Sequence, residues 1–257
     1  MKKFAKILSL AVGAIALCVT SAAAKKPIDI DAKMQEYGLV DITTIEPSII
    51  VELKYAGTDN FVGSNMYGSL RKAYFRPEIA KALAAVQREL RRIDSHLSLI
   101  IYDAARPQSA QQQMWNVVKD TRYRRYVAKP NRGGHHNFGI AVDLSIARDG
   151  VPVDMGSDFD SFSEVSHIDN EASLLRRRLI TREALDNRRL LRRLMRAQGF
   201  TTYRREWWHF QQYDINYARR TFRLLDFSGL FCAKCEFFSL IGVFLLSSQC
   251  KNIKSEN

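Results

Sequence analysis

Residues 141–146 (Ala-Val-Asp-Leu-Ser-Ile) alternate strictly between two kinds of side chain. In an extended chain Val142, Leu144 and Ile146 fall on one side, and Ala141, Asp143 and Ser145 on the other. A period of two fits a strand and not a helix, so the chain must build a sheet. Asp143 stands on the polar, functional face of that strand.

Other segments supply partners for it. Residues 97–102 (LSLIIY) and 207–212 read as strands, and 48–53 (SIIVEL) is a β-branched run within a stretch, 25–76, of loops and short strands. Pro77 opens a helix, as proline at the first helical position does, with Ile79, Leu83, Val86, Leu90 and Ile93 on one face. A second helix is expected from Pro107 to about Asp120, and 129–134 reads as a glycine-containing loop. Residues 181–198 form a basic amphipathic helix with Leu185, Leu191, Leu194 and Met195 on its apolar side, and Gly199 stops it. Arg176, Arg177, Arg178, Arg188, Arg189, Arg192, Arg193 and Arg196 are expected to form a solvated helix face.

The chain has 257 residues, enough for one large domain or two small ones and for a sizeable core. Such a core needs neither disulfide nor metal, so a metal site would serve chemistry. Lys2, Lys3 and Lys6, the apolar run 7–19 and Ala22, Ala23 and Ala24 have the order of a secretory signal peptide, too short to span a bilayer. Cleavage is expected after Ala24. The leader's three lysines take the formal charge from +12 to +9. For an exported, periplasmic protein the anionic partner is envelope polymer, attracted weakly, and not nucleic acid. Cys18 lies in the leader behind Leu17, which argues against lipidation. Cys232, Cys235 and Cys250 cluster in the last stretch, so no disulfide framework holds the main domain. Residues 228–257 read as a tail outside it, and their apolar run 237–246 is too short for membrane insertion. The domain division is therefore 1–24, 25–227 and 228–257.

Two of the segments that contain histidine are dense in polar function: 133–143 (GGHHNFGIAVD) and 206–209 (EWWH). Together they offer two imidazoles and a carboxylate, the usual ligand count of a catalytic zinc. Glu206 is available to take a proton from water and pass it on. In a flat strand Glu206 and His209 would face opposite sides, so Glu206 is expected on the bend before the strand, and His136 in the loop before the strand of Asp143. Taken singly, each residue has a plainer reading. A lone histidine is more often packed than ligating, Asp143 alone would cap a turn or pair with arginine, and Glu206 would pair with Arg204 or Arg205.

The combination His136-x-x-Gly139-x-Ala141-x-Asp143 followed by Glu206-Trp207-Trp208-His209 resembles the zinc D-alanyl-D-alanine dipeptidases of the VanX type. Lys54-Tyr55-Ala56 with Asp59-Asn60-Phe61, the run Tyr102-Asp103-Ala104-Ala105-Arg106-Pro107, Met155 to Asp160, and Ser166-His167 extend the resemblance in the family's order over about residues 36–227. The resemblance implies an α+β domain, a small and mainly antiparallel sheet flanked by helices with zinc at the sheet's edge. It implies one Zn2+ bound by His136, Asp143 and His209, with Glu206 as general base and then acid. Arg106 would face the developing oxyanion, and Asp160, with Tyr55 nearby, would hold the free amine of a D,D-dipeptide. Asp103 and His167 would support the site or the fold. His135 is an alternative ligand by composition, but only His136 has the family spacing. Gly134 stands where the family usually has serine, and the Cys232/Cys235 spacing lacks the context of a redox or metal motif. Rival readings are a D,D-carboxypeptidase on longer wall peptides, and a binding module of the same fold without turnover.

Overall fold

A computed structural model describes residues 29–227. The expected signal peptide and the expected 228–257 tail lie outside these residues. In chain order the elements are α1 (Ile30–Glu36), β1 (Val40–Asp41), β2 (Ile50–Val51), β3 (Tyr74–Phe75), α2 (Pro77–Ile93), β4 (Leu97–Asp103) and α3 (Gln108–Val118). They continue with β5 (Ala141–Arg148), β6 (Val151–Pro152), α4 (Glu171–Arg176), α5 (Arg182–Ala197), β7 (Thr201–Tyr203), β8 (Glu206–Gln211) and α6 (Ile215–Thr221).

The main sheet runs β2-β4-β5-β8-β7, with β6 folded back on β5. Only β2–β4 is parallel. The alternating strand is thus the middle of the sheet. Val142, Leu144 and Ile146 join Leu97, Leu99 and Ile101 in the principal core, together with Ile79, Leu83, Val86 and Leu90 of α2 and Leu191, Leu194 and Met195 of α5. The opposite face is covered as well: Ile100, Tyr102 and Ala147 pack with Ile50 and Phe159. The polar face expected of Asp143 and Ser145 is therefore buried, with Asp143 lining one cavity and Ser145 another.

Several local expectations need correction. Residues 30–36 form a helix, capped by Asp29 through its carboxylate to Ala32 N–H, where only loops and short strands were expected. Only Ile50 and Val51 of the 48–53 run pair as strand. Ile93, at the last turn of α2, is 52% exposed and leaves the helix's buried face. Arg188 is not solvated: it lies on the buried face of α5 at 1% exposure, while Arg192 pairs with Glu171 through two hydrogen bonds of 2.7 and 3.0 Å.

Gly139 closes the short 3-10 turn His135–Phe138 in the left-handed region, φ +72°. A Cβ there would stand 2.6 Å from Leu39 Cδ2. Gly139→Ala is expected to lower stability by about 1–3 kcal/mol, read as a lower urea midpoint with unchanged slope. An unmoved midpoint would show that the turn is not constrained in this way.

Candidate active site

Register brings the first functional groups together. Asp143 on β5 is paired with Asp103 on β4 and with His209 on β8. Asp103 reaches this face because the β4–β5 register shifts between Ile101 and Asp103. Strict alternation from Leu97, Leu99 and Ile101 would have left Asp103 on the core side. On β8 the pairing with β7 jumps from Thr202↔Phe210 to Tyr203↔Glu206, leaving Trp207, Trp208 and His209 without partners on β7. That irregularity lets Glu206 and His209, at an odd offset, line one cavity. Glu206 is the first residue of β8, directly after the Arg204-Arg205 turn, and not on a bend ahead of the strand.

His136 comes from the turn before β5, as the spacing required. One backbone and one side-chain bond fix that turn to the segment of Arg106: Arg106 N–H donates to His136 O at 3.0 Å, and Asn137 Nδ2 donates to Arg106 O at 2.8 Å. Asn137 Oδ1 accepts from Gly134 N–H at 2.8 Å, which tightens the turn further. A Cβ on Gly134 would meet Ala128 Cβ at 3.0 Å, so a serine at this position would need the neighbouring loop to give way.

The side chains of His136, Asp143 and His209 converge. One ligand atom from each lies within 4.8 Å of the others. His136 Nε2 is 3.2 Å from His209 Nδ1 and 3.3 Å from Asp143 Oδ1, and His209 Nδ1 is 2.9 Å from the same oxygen. The far nitrogens are engaged elsewhere. His136 Nδ1 donates to the Ala104 carbonyl at 2.9 Å, and His209 Nε2 donates to Gln211 Oε1 at 2.9 Å. In the neutral imidazoles the proton sits on those outer nitrogens, so both inner nitrogens present lone pairs toward a carboxylate oxygen. Three lone-pair atoms facing one another repel unless a cation stands among them, and two imidazoles with a carboxylate make a suitable donor set for a divalent metal. Burial works against ionising Asp143; when the imidazoles are protonated, His136 and His209 outweigh it and hold its carboxyl well below the usual range.

Around this cluster the cavity has a volume of about 290 Å³, at the small end for ligand sites. Arg106 lines it and is 9% exposed. Its Nε donates to Asp103 Oδ2 at 2.8 Å, its Nη2 also donates to Asp103, and its Nη1 donates to Gln111 Oε1 at 2.9 Å. Asp103 is fully buried and takes further bonds from Tyr67 Oη and from Ala104 N–H at 2.8 Å, so it supports Arg106 and does not face the cavity. The guanidinium stands 3.6 Å from Asp143 Oδ2 and 5.2 Å from the centre of the Tyr55 ring.

Tyr55 Oη donates to both oxygens of Asp160, at 3.0 and 2.9 Å. Asp160 has φ +60°, a conformation aspartate tolerates better than most residues. Burial pushes its carboxyl well above the ordinary range; the Tyr55 bond opposes this and the charge of Asp143 adds to it. Glu206 is raised in the same direction by burial, then by Asp143 and Asp160. No group among the described residues hydrogen-bonds its carboxylate. His135 lines the cavity outside the three-atom cluster, and burial, with His209 and His136, pushes its imidazole down to about 3. His167 lies away from the cluster and accepts or donates a 3.1 Å bond with Tyr126 Oη.

The structure thus brings together all seven residues singled out from the sequence: Tyr55, Arg106, His136, Asp143, Asp160, Glu206 and His209. Gln211, Gln111, Tyr67 and the Ala104 carbonyl were missed. Gln211 had a readable signal, since two residues from His209 along a strand is the same face. Gln111 and Tyr67 had none, because only the tertiary fold places them beside Arg106 and Asp103.

Comparison with known proteins agrees with this arrangement. A family model described as D-ala-D-ala dipeptidase matches residues 35–226. The D-alanyl-D-alanine dipeptidase of Escherichia coli (strain K12) is 36% identical over 177 residues, covering 67% of this chain and 83% of the relative. That of Enterococcus faecium is 30% identical over 208 residues, covering 73% of this chain and 97% of the relative. That of Streptomyces coelicolor is 33% identical over 181 residues, covering 62% of this chain and 83% of the relative. With a match spanning nearly every described residue and a His/Asp/His cluster at its centre, the chain belongs to the D-Ala-D-Ala dipeptidase family of metallopeptidases.

Proposed function

We propose that this protein hydrolyses D-alanyl-D-alanine to D-alanine, using a zinc ion held by His136, Asp143 and His209. The observation that carries this reading is the convergence of three lone-pair donors in a small cavity that also presents the Glu206 and Asp160 carboxyls. A zinc ion in such a donor set supplies Lewis-acid polarisation of a carbonyl and lowers the pKa of water.

The chain's own side chains do the rest. Glu206 takes the proton of the attacking water and delivers it to the leaving amine. Its burial raises its proton affinity above that of an ordinary glutamate, which suits a group that must accept a proton and release it again. Arg106, pinned by Asp103 and Gln111, offers a fixed positive charge to the oxygen on which negative charge develops. Little reorganisation is needed at that moment, because its rotamer is already set. Asp160, oriented by Tyr55, pairs with the free amine of the substrate. A longer peptide has an uncharged amide at that position, so a buried carboxylate there selects a dipeptide.

The leader-like order of residues 1–24 supports export to the periplasm. An exported enzyme meets dipeptide in the cell envelope, which favours turnover or recycling of wall peptides. The positive charge surplus fits weak attraction to anionic envelope polymers, with no role for nucleic acid.

The purified protein is expected to release D-alanine from D-Ala-D-Ala and not from a wall pentapeptide, and to lose the activity on chelation. Pentapeptide cleavage would move it to the D,D-carboxypeptidases, and zinc binding without cleavage of either would leave a binding module. Glu206→Gln should keep its metal and lose about 10²–10⁴-fold in kcat; unchanged turnover would exclude Glu206 as the base. Gln211→Leu removes the acceptor of His209 Nε2–H and should weaken zinc affinity about 10–100-fold, measured by competition with a chromophoric chelator. Wild-type affinity in that variant would mean that Gln211 does not orient the ligand.

A further inference from the structure

Residues 153–167 carry Asp160 and Phe162 to the lining of the cavity. Their only regular structure is the 3-10 turn Glu164–Ser166. A loop of this length is ordinarily among the least constrained parts of a fold. Asn187 and Thr181 hold its start at Asp154, and one buried side chain from the core ties its two ends together. Arg188 of α5, 1% exposed, donates from Nε to Met155 O at 2.5 Å and from Nη2 to Val165 O at 3.0 Å. Those carbonyls lie ten positions apart, so one guanidinium closes the loop that holds Asp160.

Nothing else accounts for a cation at this place. Among the described residues no carboxylate forms an ion pair with Arg188, and Glu171 is engaged by Arg192. Its Nη1 is buried without a hydrogen-bond partner. A buried cation without a direct ion-pair partner is costly, and the more distant charges of Glu171 and Asp154 only partly offset its burial; an apolar residue would pack α5 against the core without that penalty. What arginine adds is a planar fork with donors in fixed directions, able to hold two carbonyls at once, where lysine offers a point charge.

The surroundings reinforce the same loop. The Trp207 ring centre lies 5.9 Å from the Arg188 guanidinium, and Trp207 Nε1 donates to Ser157 Oγ at 3.0 Å. Ser157 Oγ is 3.3 Å from Ser166 Oγ, which donates to Ser161 O at 2.5 Å. At the far side Tyr55 takes Asp160 itself.

We propose that Arg188 is a positioning residue for substrate binding: by bridging Met155 O and Val165 O it sets the distance of Asp160 from the His136, Asp143 and His209 cluster. The inference rests on the reading of Asp160 as the group that holds the substrate's amine.

The test is a double-mutant cycle on the zinc-loaded enzyme with D-Ala-D-Ala, using Arg188→Lys, Asp160→Ala and the pair. Bound zinc and kcat are measured alongside KM. Arg188→Lys is expected to raise KM about 10- to 100-fold with kcat and zinc content near wild type. In the Asp160→Ala background the same change should add nothing further, because the group it positions is gone. Arg188→Met, which removes both donors at similar volume, should raise KM more than lysine does; if that variant does not fold, the Arg188→Lys cycle decides. Unchanged KM in Arg188→Lys overturns the inference, and so does a KM effect that persists in full without Asp160, since Arg188 would then act on the fold at large. An Asp160→Ala enzyme of wild-type KM would instead overturn the amine reading itself, and the inference with it.

Discussion

Asp143 is a carboxylate on the central strand of a sheet whose two faces are both covered, and the rest of the site is arranged around the cost of putting it there. An isolated buried carboxylate would take up a proton. Here His136 and His209 face it directly, and Arg106 stands 3.6 Å from its second oxygen. Each of those groups needs an orienting partner of its own. The Ala104 carbonyl and Gln211 set the two imidazoles, and Asp103 sets Arg106. Asp103, saturated in turn by Tyr67 and the Ala104 N–H, is the point at which the network closes. A fully connected buried network of this kind rigidifies what it contains, because no member can move without leaving another unsatisfied.

The network is held at both ends by irregularities in otherwise regular strands. The shift at Tyr102 turns Asp103 toward Asp143, and the jump on β8 brings Glu206 to the cavity with His209. Register faults cost ladder hydrogen bonds, and they recur where a strand must re-aim a side chain. The loop carrying Asp160 has no strand to support it. It depends on groups reaching into it from β8 and α5, and on Tyr55 from the other wall. Sheet and loop thus present two kinds of carboxyl to one cavity: Asp143, held ionised by its neighbours, and Asp160 and Glu206, raised by burial.

Much of this was legible in the sequence because it depended on period and spacing. Alternation identified β5 and the face of Asp143, Pro77 marked the start of α2, and the periodic leucines of 181–198 gave the buried side of α5. The ordered motifs singled out Tyr55, Arg106, His136, Asp143, Asp160, Glu206 and His209, but not Gln111 and Gln211 of the same lining. What was hidden depended on tertiary context. Glu206 looked out of phase with His209 because a register fault cannot be read from composition. Arg188 looked solvated because it sits among many other arginines in sequence, and nothing local marks the one that turns inward. The helix at 30–36 was missed because only Ile30 and Met34 of its seven residues are buried, too few to show a period.

The central claim is that His136, Asp143 and His209 hold a single zinc ion. X-ray absorption at the zinc edge, on protein reconstituted to saturation, addresses it most directly. One zinc per chain in a nitrogen and oxygen shell is expected, with the scattering signature of two imidazoles and no sulfur. Sulfur in the shell, which would point to Cys232 and Cys235, or a shell without imidazole, would contradict it.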